Sequence, residues 1–109
     1  MLVMDFEMPI FNEGMNISVR KGFKWDIVKC PMPVSLESVD KRTKVEGTLL
    51  ASYATEFDSI PDNLLVLEHD PLCRNKVGLL KVMESVYPDF NCEDVVTIVF
   101  FVPESSEYA

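Results

Sequence analysis

Histidine and tryptophan each occur once in the sequence, cysteine three times and glycine four times. One histidine, with cysteines as scattered as Cys30, Cys73 and Cys92, does not make a tetrahedral zinc site, so no metal or other cofactor is expected. The odd cysteine count and the lack of C-x-x-C spacing exclude full internal pairing. They predict reduced thiols and a cytoplasmic location. Long hydrophobic runs are missing too. No stretch approaches the ~20 apolar residues of a membrane span, and Met1-Leu2-Val3-Met4-Asp5 lacks the basic segment of a signal peptide. Positive charge is scarce: 10 Lys and Arg stand against 18 Asp and Glu, a net charge of −8. Such a field repels nucleic-acid backbones at long range and excludes a general nucleic-acid coat. It leaves room for a pocket that takes a nucleoside or a short single-stranded RNA element, and it fits docking on a basic protein partner.

What is present is enough to fold. The 109 residues, 48% of them hydrophobic, suit a single domain that buries about two-thirds of the surface its unfolded chain exposes. No repeat, low-complexity run or linker divides them, and a polar tail begins at about residue 103. Residues 1–7 read as a first edge strand, and Pro9 opens a short helical turn ending near Gly14. In Asn16-Ile17-Ser18-Val19-Arg20 the residue types alternate with period two, which predicts a half-buried strand with Asn16, Ser18 and Arg20 on its polar face. Phe23 to Cys30 is a second strand candidate, stopped by Pro31. Pro33 is expected to keep the next stretch out of a central ladder, and residues 35–44 read as a loop or hairpin tip.

A long strand follows over Val45–Phe57, with Gly47 as a candidate bulge. Ser59-Ile60-Pro61-Asp62 starts a short helix through about Leu67. Asp70-Pro71 starts a second one, with aspartate as N-cap and proline at the first helical position. From Leu72 to Val86 the apolar spacing is helical, and Tyr87-Pro88 ends it. Asp94 to Val102 is apolar on both faces and is placed centrally. The strands are not regularly separated by helices, which disfavours a doubly wound sheet. The expected class is α+β: a small barrel or curled mixed sheet with two or three helices on one side.

Two stretches carry a family resemblance. "NISVR", Asn16 to Arg20, resembles the strand ending in arginine that marks the ASCH family, whose fold is PUA-like. "LLKVMESVYPDF" followed by "DVVTIVFF" resembles the helix that ends in Tyr-Pro and runs into a last hydrophobic strand in the small single-domain members. The likeness covers about Phe6 to Val102 and implies one PUA-like domain over 1–109. The family signature is roughly G-x-K-x-x-x-x-R. Arg20 fits its last position, while the lysine position falls on Met15 and the glycine position on Glu13.

The resemblance implies a site. In the branch of the family that removes the acetyl group from N4-acetylcytidine, a lysine, a threonine and a glutamate do the work. Ser18 falls at the hydroxyl position, and Glu68 or Asp70 can supply the acid. Met15 cannot take a proton, so the expectation is a nucleoside- or RNA-binding module without catalysis, its ligand held by Ser18, Arg20, Lys24 and Trp25. Arg20 brings forked donors to a carbonyl or phosphate, Trp25 a face for stacking and Lys24 a charge. The first alternative is an amidohydrolase for an acetylated cytidine, with Ser18, Glu68 and Asp70 as its catalytic groups. The second is an acidic interaction or inhibitor protein that uses its charge, thickened at Glu84, Asp89, Glu93 and Asp94, to dock on a basic partner. Lone His69, between two acids, reads as a surface residue near a helix end. Lys41-Arg42-Thr43-Lys44 is the densest basic cluster and the one place for a backbone phosphate.

Overall fold

The computed structural model describes residues 2–26 and 29–104. Five strands form one sheet: β1 (Leu2–Phe6), β2 (Asn16–Lys21), β3 (Met32–Ser38), β4 (Lys44–Glu56) and β5 (Val95–Pro103). Their order is β1-β3-β4-β5-β2, with β1 parallel to β3 and every other pairing antiparallel. Between β4 and β5 lie three 3-10 turns, Phe57–Ser59, Asp62–Leu67 and Pro71–Cys73, and one α-helix, α1 (Lys76–Val86). The result is an α+β fold, a mixed sheet curled into a half-barrel with its helical elements gathered in a single connection. Among the described residues no helix is long and apolar enough to cross a membrane.

β5 is central because both of its faces are apolar. Val96 and Ile98 belong to a cluster with Ile17, Val19, Leu79 and Met83 under α1. Val99 and Phe101 point the other way, into a cluster with Met4, Phe6, Phe11, Trp25, Val34, Leu36, Val45 and Leu49. A sheet sandwiched in this way reads as a near-continuous hydrophobic run rather than an alternation.

The first half of the chain departs from the sequence reading at several points. Pro9 opens no helical turn; residues 7–15 run without helix or strand. Lys24–Asp26 are a turn rather than part of a strand, with Ile27 and Val28 outside the described residues. The strand is instead β3, over a stretch read as proline-broken and then as loop. Pro33 is accommodated because the ladder to β1 starts only at the next residue, Val34, paired with Leu2, so its missing N–H falls at the end of that ladder. The bulge of β4 lies between Leu49 and Ala51, not at Gly47. Gly47 answers a different need. A Cβ there would lie 2.9 Å from the Val102 carbonyl oxygen and 3.0 Å from Leu36 Cδ1, so a close approach of backbones requires it.

Asp70-Pro71 does start a helical element, and the Asp70 carboxylate accepts from the Leu72 N–H at 2.9 Å. That element is one 3-10 turn. The long helix starts at Lys76, capped by Asn75, whose side chain accepts from Gly78 N–H at 2.8 Å. It stops at Tyr87, as the Tyr-Pro pair predicts. Its buried stripe is Leu79 and Met83, four apart, the spacing that sets two side chains on one helical face.

Candidate functional site

The curl of the sheet brings its two edges together. Glu68 forms a parallel bridge with Ile17 of β2, and the His69 N–H donates to the Ile17 carbonyl at 3.2 Å. From the other edge, the Phe6 ring lies 4.8 Å from the His69 ring, nearly perpendicular to it. Between the edges opens a cavity of about 120 Å³. β2 contributes Ser18 and Arg20 to its wall, and the segment before α1 contributes Glu68, His69 and Asp70. Asp5 to Met8 come from β1 and the chain beyond it, and Met83, Val86 and Tyr87 from the end of α1.

Ser18 and Arg20 share one face of β2, as the alternation requires. That face is buried at Asn16 and Ser18 and half-buried at Arg20. Asn16 and Ser18 are buried along with Ile17 and Val19, so the half-buried strand of the sequence reading is buried on both sides over its first four residues. The Arg20 guanidinium lies over the Phe6 ring, 4.7 Å from its centroid, and 5.9 Å from the Trp25 ring, and its Nε donates to Ser18 Oγ at 2.8 Å. None of the ion pairs among the described residues includes Arg20. Burial pulls its pKa down from the ordinary value, opposed by Tyr87, Glu68 and Asp5. The site therefore holds a partly desolvated cation fixed by a ring and a hydroxyl rather than by an ion pair with a carboxylate.

Glu68 is 2% exposed. Burial pushes its carboxyl up to about 8; the Asp70 N–H that donates to Oε1 at 3.3 Å and the charges of Arg20 and Arg74 only partly oppose this. His69 is buried, not at the surface. Its Nδ1 lies 3.0 Å from the Ile10 carbonyl and its Nε2 lies 3.2 Å from Glu68 Oε1. Burial pulls the imidazole down to about 4. Both groups are thus neutral near pH 7. Cys73, also on the cavity wall, is pushed up to about 12 by burial and by the neighbouring acids, which leaves it a thiol and a poor nucleophile.

The backbone of this segment is tied down from behind. Arg74 Nε donates to the Glu68 carbonyl at 3.1 Å, and its Nη2 donates to Asn12 Oδ1 at 2.7 Å. Asn12 in turn is held by Asn16, which accepts from the Asn12 N–H at 2.7 Å and donates to the Asn12 carbonyl at 2.9 Å. Sequence reasoning passed over Asn12 and Arg74 as parts of this site and read His69 as a surface residue. The available signal was a Glu-His-Asp triplet between Leu67 and Pro71, too polar to be buried without partners.

Ser18, Arg20, Glu68 and Asp70 line one cavity. Lys24 and Trp25 do not. Trp25 is buried in the core beneath Arg20, and Lys24 is exposed, its ammonium 5.7 Å from the Trp25 ring. Met15 is 39% exposed and outside the cavity lining, and no lysine is part of that lining. In the basic cluster at 41–44, Lys41 pairs with Asp5 at 2.6 Å and Glu37 at 3.2 Å, and Arg42 makes a long, exposed contact with Asp40 at 3.8 Å.

A curled mixed sheet whose edges meet over a half-buried arginine invites comparison with solved structures. It is similar to an ASCH domain from Lactobacillus crispatus JV V101, with a TM-score of 0.58 and 6% identity, covering 84% of this chain and 64% of that one. The fold is that of an ASCH domain. No family model matches the sequence, and neither does any curated protein. At 6% identity the ASCH likeness fixes the path of the chain and says nothing of individual side chains, so the site chemistry rests on the contacts described above.

Proposed function

We propose that the protein is a PUA-like binding module whose cavity takes the base of a nucleoside, free or at the end of a short single strand, without turning it over. The observation that carries this reading is Arg20: a half-buried guanidinium, lying over Phe6 and bonded to Ser18, with no carboxylate within ion-pair distance among the described residues. Such a group has donors left for a carbonyl or ring nitrogen. The cavity of about 120 Å³ is below the ~300–1,000 Å³ of sites for drug-sized molecules. It suits one heterocycle and leaves the sugar outside. Asp5 and Glu7 at the wall and a net charge of −8 act against a phosphodiester backbone, which favours the free nucleoside over RNA.

The amidohydrolase alternative has one observation in its favour, a serine hydroxyl and a proton-bearing glutamate on the same cavity. A hydroxyl nucleophile also needs a base. Asp70 spends its carboxylate on the Leu72 N–H, His69 is committed to Ile10 and Glu68, and no lysine lines the cavity. Incubation with N4-acetylcytidine is expected to release no cytidine by chromatography.

A thermal-shift screen against cytidine, N4-acetylcytidine and short single-stranded RNA tests the reading. A specific ligand at 100 times its Kd adds about 3 kcal/mol, which for a chain of this size moves Tm by roughly 10 °C or more. Arg20→Ala is expected to abolish the shift. A screen in which no nucleoside or RNA shifts Tm overturns the reading and turns attention to a basic protein partner.

A further inference from the structure

The imidazole of His69 is constrained at both nitrogens. A backbone carbonyl can only accept, so the Ile10 oxygen at 3.0 Å from Nδ1 requires a proton on Nδ1. A neutral ring then has a bare Nε2, and its neighbour at 3.2 Å is Glu68 Oε1. Two lone pairs facing each other repel, so a proton must lie between them. The ring packs among Phe6, Phe11 and Phe101, surroundings that disfavour an imidazolium. We infer that His69 is a positioning residue: its bare Nε2 accepts the proton of a Glu68 carboxylic acid, keeping Glu68 neutral and leaving Arg20 as a cation whose counter-group must come from the ligand. This deepens the nucleoside-binding reading and rests on it for the identity of the ligand.

The consequence is a proton-gated site. The groups facing the pair are Arg20 from β2, Asp5 from β1, Asp70 and Cys73 beside it, Arg74 behind it and Tyr87 from the end of α1. Of these, Arg20 is the cation on the cavity side, since Arg74 is engaged by the Glu68 carbonyl and Asn12. When Glu68 loses its proton, the new carboxylate competes with the ligand for Arg20. Burial, which holds Glu68 near 8, puts that change just above neutral pH.

Two measurements on the intact protein test this, and the first needs no ligand. The chain has one histidine, so its 15N spectrum contains a single imidazole. The expected pattern from pH 5.5 to 7 is a neutral ring with Nδ1 protonated and Nε2 bare. An imidazolium at pH 6, or a ring protonated on Nε2 instead, overturns the assignment. The second is titration calorimetry with cytidine and N4-acetylcytidine across pH. For one proton coupled to binding, Kd is level below neutral pH and rises about tenfold per pH unit once Glu68 ionises. Glu68→Gln is expected to abolish that dependence. His69→Leu removes the acceptor of the proton and moves the onset to lower pH. An affinity that is level up to pH 9 in the wild type overturns the gate. The expected 15N pattern with no nucleoside bound at any pH overturns the ligand reading instead and supports the pair.

Discussion

Arg20 carries a half-buried guanidinium with, among the described residues, one side-chain hydrogen bond, to Ser18, and two aromatic neighbours. Holding a charge there costs desolvation that Tyr87, Glu68 and Asp5 only partly offset, none of them forming an ion pair with it. Replacement by an apolar side chain of similar length is therefore expected to be neutral or stabilising. Arg20→Met should show a urea midpoint no lower than the wild type while losing nucleoside binding. A fall of more than about 1 kcal/mol would mean that the guanidinium is a structural group after all. The neighbouring pair gives a second prediction. Folding raises Glu68 from 4.5 to about 8 and lowers His69 from 6.5 to about 4. The folded pair holds one proton from about pH 8 down to about pH 4. The unfolded pair holds none above 6.5, one between 6.5 and 4.5, and two below. Stability from this pair accordingly rises by about 1.4 kcal/mol per unit as pH falls from 8 to 6.5, and levels off down to 4.5. In Glu68→Gln only the histidine remains, and stability falls as pH drops below 6.5. Chemical denaturation at a series of pH values separates the two profiles, and parallel profiles would refute the pairing.

α1 starts where it does because of two residues that sequence periodicity does not weigh. Asn75 caps Gly78, and a Cβ on Gly78 would run into the Leu72 carbonyl oxygen. In an ordinary helix interior Gly→Ala stabilises by roughly 1 kcal/mol. Here Gly78→Ala is expected to destabilise by about 1–3 kcal/mol, because the colliding atom is backbone and cannot rotate away. Asn75→Ala should cost about 1 kcal/mol as a lost cap. Thermal unfolding of both variants checks the claim, and a Gly78→Ala protein more stable than the wild type would sink it. The same turn explains why Leu72, which the helical spacing counted on the buried face, is 65% exposed. The 3-10 turn at Pro71–Cys73 ends before α1 begins, so Leu72 never shares the helix's phase.

With 18 acids against 10 bases, self-repulsion acts against the compact state and salt screens it. Tm is expected to rise from low to moderate sodium chloride in the absence of ligand, and a level or falling Tm would show that the charges are already balanced by local pairs. The same charge predicts that a duplex RNA column does not retain the protein at physiological salt. The core stands apart from these effects. Phe101 is fully buried and its ring lies within 5.8 Å of Phe6 and of Phe11, so Phe101→Ala should cost about 3–5 kcal/mol by denaturant unfolding.

Several features were readable from the chain by local rules alone. The apolar run of β5 demanded a central strand, and Tyr87-Pro88 had to end a helix. Asp70-Pro71 had to begin one, and the alternation in Asn16–Arg20 set Ser18 and Arg20 on one face. Each of these follows from chain chemistry that acts within a few residues. The curl of the sheet decided the rest. β3 is a strand despite Pro33 because β1 and β4 supply partners on either side of a stretch that local propensity would leave as loop. Trp25 sits under the arginine rather than beside a ligand because the interior of the half-barrel needed filling there. Glu68 and His69 became neutral partners only when the edges of β1 and β2 met and took water away from both. Burial and cross-chain pairing depend on residues dozens of positions apart, and no spacing rule within a segment contains them.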